Sequence, residues 1–166
     1  MGTTALVLGG ARSGKSAFAE ARAREFGARP TYVATGRAWD DEMRGRIERH
    51  KLDRGPDWDT VEEPLDLCGA LQEATGPALV DCLTLWVTNL MMEEADCEAR
   101  FAELIETLDA RADPTVLVSN EVGLGIVPMD AMSRLFRDHA GRLHQQIAAM
   151  ATEVHFVVAG IPQRLK

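Results

Sequence analysis

The sequence has few cysteines and no long apolar segment. Among 166 residues there are three cysteines, Cys68, Cys82 and Cys97, and no two of them have the spacing of metal ligands. A small, odd number of cysteines argues against a disulfide framework and favours a reduced, cytoplasmic setting. No apolar run approaches the roughly 20 residues that a membrane span requires, and the first residues lack the pattern of a signal peptide.

The sequence also lacks an excess of basic residues. Its formal net charge is −8, which argues against a general affinity for nucleic acid. A phosphate-rich ligand would therefore need a local site that works against the overall field. The length suggests one domain, residues 1–166, because no repeat, low-complexity tract or long linker divides the chain.

Short apolar runs alternate with segments of helical character along the whole chain. This alternation predicts an α/β fold in which a mainly parallel sheet is covered on both faces. A final edge strand in "IPQRLK" is expected to be short. The predicted strands are 3–8, 31–35, 58–63, 77–82, 115–120 and 153–160. The predicted helices are 15–26, a segment from Asp40 onward, 64–74, 83–92, 94–111 and 130–151.

The stretch "GGARSGKS", residues 9–16, matches the phosphate-loop pattern G-x-x-x-x-G-K-[ST]. It follows a predicted strand and opens a predicted helix, which is the context such a loop requires. Backbone N–H groups of the loop would surround phosphate oxygens, Lys15 would reach the β- and γ-phosphates, and the Ser16 hydroxyl would bind Mg²⁺. The predicted nucleotide-binding residues are Gly9, Gly10, Ala11, Arg12, Ser13, Gly14, Lys15 and Ser16.

A phosphate loop usually works with an acidic residue at the end of a neighbouring strand. Asp81 ends the apolar run "ALVD" and is the candidate for this second metal-side residue. The alternative is that Asp81 only caps the helix that follows. The loop does not identify the reaction, although the absence of N-K-x-D after "SN" disfavours a GTPase switch.

Several unusual stretches occur together in one order: "GGARSGKS", "YVATGRAWDDEMRGRIERHK", "VDCLTLWVTNL", "SNEVGLGIVP" and "FRDHAGRLHQ". Together they resemble the bifunctional adenosylcobinamide kinase/adenosylcobinamide-phosphate guanylyltransferase family of cobalamin biosynthesis. The resemblance covers nearly the whole chain. The second and fourth stretches are more specific than the phosphate loop.

The resemblance implies a RecA-like, three-layer P-loop fold, a homotrimer and two reactions. In the first, adenosylcobinamide receives the γ-phosphoryl group of ATP or GTP. In the second, GTP transfers GMP to an enzyme histidine, and the GMP passes to adenosylcobinamide phosphate, yielding adenosylcobinamide-GDP and pyrophosphate. The implied cofactors are GTP, ATP and Mg²⁺, and neither nucleic acid nor a membrane span is expected.

The resemblance also implies roles for particular residues. His50 is the histidine in the matching "RI..H" segment and corresponds to the guanylylated residue. Positions that match the family's nucleotide site are Ala34, Thr35, Gly36, Glu62 and Asp81. Ser16 and Asp81 are the expected metal-side residues.

The local chemistry of the His50 segment agrees with this role. On a helix, Glu42, Arg46 and His50 would lie roughly on one face. Arg46, Lys51 and Arg54 could then hold an α-phosphate, and nearby cations would favour the neutral, nucleophilic imidazole. Spacing alone leaves open an ordinary solvated face, and the resemblance favours the nucleophile.

The remaining histidines and the tryptophans have plainer interpretations. His139 and His144 are expected to be packed or solvent-facing, and His155 to be a core residue. The tryptophans at 39, 58 and 86 are expected in the core or an interface, with contact to the corrin ring as the alternative for one of them. Two other functions remain open: a small-molecule kinase without a covalent intermediate, and a nucleotide-dependent regulatory or assembly protein.

Overall fold

The computed structural model describes residues 2–37, 44–45, 48–49 and 55–166. In these residues, seven strands form one sheet in the order β3-β2-β4-β5-β1-β6-β7. All neighbouring strands are parallel except β6 and β7, which are antiparallel. The strands are β1 (Thr4–Gly9), β2 (Thr31–Ala34), β3 (Asp59–Glu62), β4 (Ala78–Asp81), β5 (Thr115–Asn120), β6 (Glu153–Val158) and β7 (Ile161–Arg164).

Five helices with continuous described bounds connect these strands. They are α1 (Lys15–Phe26), α2 (Leu67–Glu73), α3 (Leu83–Met92), α4 (Cys97–Ala110) and α5 (Ala131–Met150). Residues 44–45 and 48–49 are also helical. The predicted helix that starts at Asp40 otherwise lies outside the described residues.

The sheet separates two hydrophobic clusters, because successive strand residues point to opposite faces. On β1, Ala5 and Val7 pack with Ala19 and Ala23 of α1, whereas Leu6 joins the larger cluster on the opposite face. Helices α2, α3, α4 and α5 contribute to that larger cluster. The expected mainly parallel α/β sheet with helices on both faces is confirmed.

Two predicted helix starts are wrong, and both corrections have a local cause. Pro64 does not open α2. Its first turn is capped by Asp66, which accepts a hydrogen bond from the Gly69 amide. Helix α4 likewise begins at Cys97 rather than at residue 94, because Asp96 caps the Ala99 amide. In each case an acidic N-cap sets the start.

The short edge strand expected at the carboxyl end is present as the four-residue β7. Trp58, Trp86 and His155 are buried, as expected. Trp39 lies outside the described residues.

Candidate functional site

The phosphate loop connects β1 to α1 at the carboxyl edge of the sheet. Arg12 and Gly14 have φ values of 56° and 91°, and these left-handed conformations curl the loop. Gly14 is the N-cap of α1 and supplies no side-chain cap. The first turn of α1 contains no acidic residue, so its amides and dipole favour an anion.

Lys15 lies within this loop rather than in solvent. Its side chain is buried, and Nζ donates to the carbonyl oxygen of Gly10 at 3.0 Å. A phosphate oxygen can replace this carbonyl as the partner of the ammonium group without exposing the charge. The geometry therefore holds one cation ready where phosphate would bind.

The turn between β6 and β7 is in contact with the phosphate loop. The Gly160 amide donates to the Ser13 carbonyl oxygen at 2.7 Å. A Cβ added at Gly14 would lie 2.9 Å from the Gly160 Cα, so two glycine backbones are in close contact here. The loop conformation is consequently tied to the edge of the sheet.

Three residues predicted from separate motifs lie in one row across neighbouring strands. Ala34 ends β2 and is in register with Glu62 of β3 and with Asp81 of β4. All three stand at the carboxyl ends of parallel strands, where ligands bind in open α/β sheets. Helix α1, which begins at the phosphate loop, packs against β4.

Asp81 does not cap the helix that follows it. The N-cap of α3 is Cys82, without a side-chain cap, and the Asp81 carboxylate instead accepts a hydrogen bond from the Tyr32 hydroxyl at 2.5 Å. The Tyr32 ring is itself held edge-on against Trp58, with ring centroids 5.5 Å apart. The carboxylate is therefore oriented by the sheet and not by the helix.

Thr35 fixes the backbone beside this row. It is fully buried, and its hydroxyl donates to the Cys82 carbonyl at 2.7 Å and accepts from the Cys82 amide at 2.9 Å. The Asn89 side-chain amide donates to the Thr35 carbonyl at 2.7 Å. Thr35 thus orders the segment that leads to Gly36, and its direct contact with nucleotide stays a prediction.

The end of β5, which lies between β4 and β1, adds polar groups next to the phosphate loop. The Asn120 amide donates to the Thr84 hydroxyl at 2.9 Å. Deeper in the same region, His144 Nε2 lies 2.7 Å from the Ser119 hydroxyl. Burial lowers the pKa of His144 to about 4, so at neutral pH the imidazole that contacts Ser119 is uncharged.

The three predicted guanylyl-site residues His50, Lys51 and Arg54 lie outside the described residues, as does Arg46. Their roles therefore stay predictions. The described elements hold the phosphate loop, the Asp81 row and the polar end of β5 together at one edge of the sheet.

Sequence reasoning missed Tyr32 and Gly160. Tyr32 is the only tyrosine in the chain and pairs in register with Leu79, two residues before Asp81. The period of two puts Tyr32 and Asp81 on the same face, but only the pairing of β2 with β4 reveals it. For Gly160, the dipeptide "AG" after an apolar strand signals a turn, although not its contact with the phosphate loop.

The helices described in the structure include none that is both long and apolar enough to cross a membrane.

Comparison with known proteins supplies a family for this arrangement. A family model described as cobinamide kinase / cobinamide phosphate guanyltransferase matches residues 5–165. The chain is 47% identical over 166 residues to the bifunctional adenosylcobalamin biosynthesis protein CobP of Pseudomonas aeruginosa, with 97% of this chain and 96% of the relative covered. It is 40% identical over 179 residues to protein CobU of Escherichia coli and 41% identical over 181 residues to CobU of Salmonella typhimurium. Both alignments cover 97% of this chain and 98% of the relative.

Proposed function

This chain belongs to the cobinamide kinase / cobinamide phosphate guanyltransferase family, and on that premise we propose that it catalyses two successive transfers to adenosylcobinamide. The observation that carries the proposal is the phosphate loop with its buried Lys15, set beside an oriented Asp81. The cation and the carboxylate that a nucleotide–metal site would need thus lie at the same edge of the sheet.

In the first transfer, the aminopropanol hydroxyl of adenosylcobinamide attacks the γ-phosphorus of ATP or GTP. An oxygen–phosphorus bond forms, the bond to the bridging β,γ-oxygen breaks, and the nucleoside diphosphate leaves. The amides of residues 9–16 and the ammonium group of Lys15 bind the phosphates and offset their charge. Nucleotide contacts are also assigned to Ala34, Thr35, Gly36 and Glu62.

The residues beside the loop fit a magnesium ion. A serine hydroxyl and a carboxylate are the oxygen ligands that Mg²⁺ prefers, and Ser16 and Asp81 supply them from α1 and β4. When bound, Mg²⁺ neutralises charge on the β- and γ-phosphates. Tyr32 holds one Asp81 oxygen by its hydroxyl, which orients the carboxylate for this role.

In the second transfer, an imidazole nitrogen of His50 attacks the α-phosphorus of GTP and expels pyrophosphate. A phosphate oxygen of adenosylcobinamide phosphate then attacks the same phosphorus, the nitrogen–phosphorus bond breaks, and adenosylcobinamide-GDP forms. Lys51 and Arg54, with Arg46, stabilise charge on the α-phosphate.

We assign the enzyme to the cytoplasm as a homotrimer. The three free, buried cysteines are compatible with a reduced compartment.

The test uses GTP labelled at the α- or the γ-phosphate. Label from α-labelled GTP, and not from γ-labelled GTP, should remain on the protein and be lost in mild acid, as a phosphoramidate is. His50→Ala and His50→Asn should reduce labelling to background while part of the cobinamide kinase activity survives. His139→Gln is the matched control and should keep the label.

Three results would contradict the proposal in whole or in part. A protein that phosphorylates cobinamide but never holds the α-label is a kinase without a covalent intermediate. A protein that binds nucleotide but transfers nothing to cobinamide is a regulatory or assembly protein. Persistence of the α-label on His50→Ala would move the nucleophile to another residue.

A further inference from the structure

Two adjoining cavities lie between α3 and α5. The inner cavity has a volume of about 360 Å³ and the outer one about 190 Å³, and both are lined by Thr88 and Phe136. We call this feature the α3–α5 groove. Its inner part is lined by Ala11, Thr84, Leu85, Thr88, Asn120, Glu121, Val122 and Phe136, and its outer part by Thr88, Met91, Met92, Met132, Ser133 and Phe136.

The inner end of the groove reaches the phosphate loop. Ala11 belongs to that loop and forms part of the groove wall. The residue before Ala11, Gly10, accepts the hydrogen bond from Lys15 Nζ. The ammonium group predicted to bind the β- and γ-phosphates is therefore in contact with the residue next to the groove wall. The Asn120–Thr84 hydrogen bond places polar groups at this end.

The outer end is apolar and exposed. Met92 and Met132 are 52% and 59% exposed, and they lie on opposite walls of the groove. Large contiguous exposed apolar patches mark binding sites, and methionine adapts its shape to a ligand. The groove is therefore mainly apolar, and its inner end adds the side chains of Thr84, Asn120 and Glu121 beside the phosphate loop.

The loop after β5 extends this apolar surface and is held in place. Leu124, Ile126 and Met129 are all largely exposed. The Glu121 carboxylate accepts hydrogen bonds from the Gly123 and Leu124 amides. Arg134 of α5 donates to the Met129 carbonyl at 2.7 Å. This surface is presented beside the groove by hydrogen bonds at both ends of the loop.

We propose that the α3–α5 groove binds the acceptor of the kinase step, a hydroxyl-bearing arm on a large, partly apolar macrocycle. The hydroxyl lies at the polar inner end beside the γ-phosphate, and an edge of the macrocycle lies along Met92 and Met132. The inference rests on the proposed function, because that function supplies the acceptor. Three polar side chains at the phosphate-loop end and exposed methionines at the outer end match such a molecule.

The position of the groove also suits the reaction. Attack on phosphorus requires the incoming oxygen roughly in line with the leaving oxygen, so acceptor and nucleotide must enter from different sides of the phosphate loop. The predicted nucleotide contacts Ala34 and Glu62 lie on β2 and β3. The groove instead lies beyond β4, between helices that cover the sheet face opposite to α1.

The test places charge in the groove without disturbing the helices. Met132→Glu puts an acidic residue in the first turn of α5, and Met92→Lys puts a basic residue at the last position of α3, where each suits the helix dipole. Each variant should raise the KM for cobinamide at least about tenfold, as expected when one apolar contact is lost and a charge is buried. Equilibrium dialysis of cobinamide, detected by its absorbance, should show the same loss of affinity.

The matched controls carry the same charges at the same kinds of helix position. Ala99→Glu lies in the first turn of α4 and Ala110→Lys at its last residue, and both side chains are exposed. Their KM for cobinamide should equal that of the parent. If a charged variant fails to fold, Met132→Ala or Met92→Ala replaces it in the same measurement. We expect these alanine variants to show a smaller rise in the KM for cobinamide.

The possible outcomes distinguish failure of the acceptor-site proposal from failure of the proposed function. If the folded groove variants have an unchanged KM for cobinamide, the groove does not bind the acceptor, while the proposed function still stands. A change in mass by light scattering with unchanged cobinamide affinity shows that another copy of the chain covers this face, and also overturns it. If the parent protein does not phosphorylate cobinamide at all, the proposed function fails first.

Discussion

The hydroxyl of Tyr32 joins two neighbouring strands at the single carboxylate predicted to face the metal. A hydrogen bond to a charged group contributes about 1.5–3 kcal/mol, and this one is 2.5 Å long. The edge-on contact with Trp58 fixes the ring that carries the hydroxyl. Tyr32 is therefore a positioning residue, which acts through Asp81 and not on the substrate.

Removing this hydroxyl should loosen the carboxylate and leave the ring in place. We expect Tyr32→Phe to raise the Mg²⁺ concentration for half-maximal kinase activity by about threefold to tenfold, since part of the hydrogen-bond energy is lost from the metal site. Turnover at saturating Mg²⁺ should fall much less. Kinase rates measured across a Mg²⁺ titration check this expectation.

Asp81→Asn is the comparison variant. It removes the charge itself and should lower turnover by about a hundredfold even at high Mg²⁺, in keeping with loss of an electrostatic contact to the reacting phosphates. An identical Mg²⁺ titration for Tyr32→Phe and the parent would show that the hydrogen bond only stabilises the fold.

At the scale of secondary-structure elements, the phosphate loop depends on a turn that follows about 150 residues later in the chain. Gly160 donates to Ser13 and lies against Gly14. Gly14→Ala should be destabilising for two reasons: its φ of 91° is in the left-handed region, and the new Cβ would lie 2.9 Å from the backbone of the turn. We expect a loss of about 2 kcal/mol or more.

A loss of that size corresponds to a fall in Tm of at least about 4 °C for a chain of this length. Gly10→Ala is the control in the same loop, because a Cβ there meets nothing within 4 Å among the described residues. Thermal unfolding without nucleotide checks both variants. Equal Tm values for the two would mean that the turn does not constrain the loop.

The elements themselves could be predicted from the sequence, whereas their neighbours in space could not. The strand at 115–120 and the helix at 15–26 have the predicted bounds, because apolar runs and caps are local signals. The strand order, with β1 between β5 and β6, depends on long-range pairing that no local pattern encodes. The Tyr32–Asp81 and Gly160–Ser13 contacts were missed for this reason.

Some residues of the candidate site could likewise be predicted from local sequence patterns, and others could not. The phosphate loop was predicted from its motif, and Asp81 from its position after an apolar run. The structure excludes the helix-cap alternative for Asp81, because Cys82 is the N-cap of α3, and the metal-side role stays a prediction. The assignment of His50 depends on the family resemblance and on the labelling experiment.

At the scale of the whole molecule, net charge and size both constrain how substrates bind. A chain with a net charge of −8 repels nucleoside triphosphates at long range. Binding must then come from short-range groups, such as the loop amides and the buried Lys15. The α3–α5 groove is likewise too small to enclose a macrocycle, because its outer cavity measures about 190 Å³.

A neighbouring copy of the chain would supply the missing surface, so we predict that the acceptor lies partly between subunits, and the family resemblance implies that the assembly is a homotrimer. Light scattering at micromolar concentration should give three times the chain mass of 18.2 kDa. Dilution below the dissociation range should raise the KM for cobinamide before it affects labelling by α-labelled GTP, since labelling needs no acceptor. The loop after β5 remains exposed in one chain, with Ile126 and Met129 each 98% exposed, and is available for such a contact. A monomer at micromolar concentration that keeps full activity towards cobinamide would exclude a shared acceptor site, because one chain would then suffice for binding.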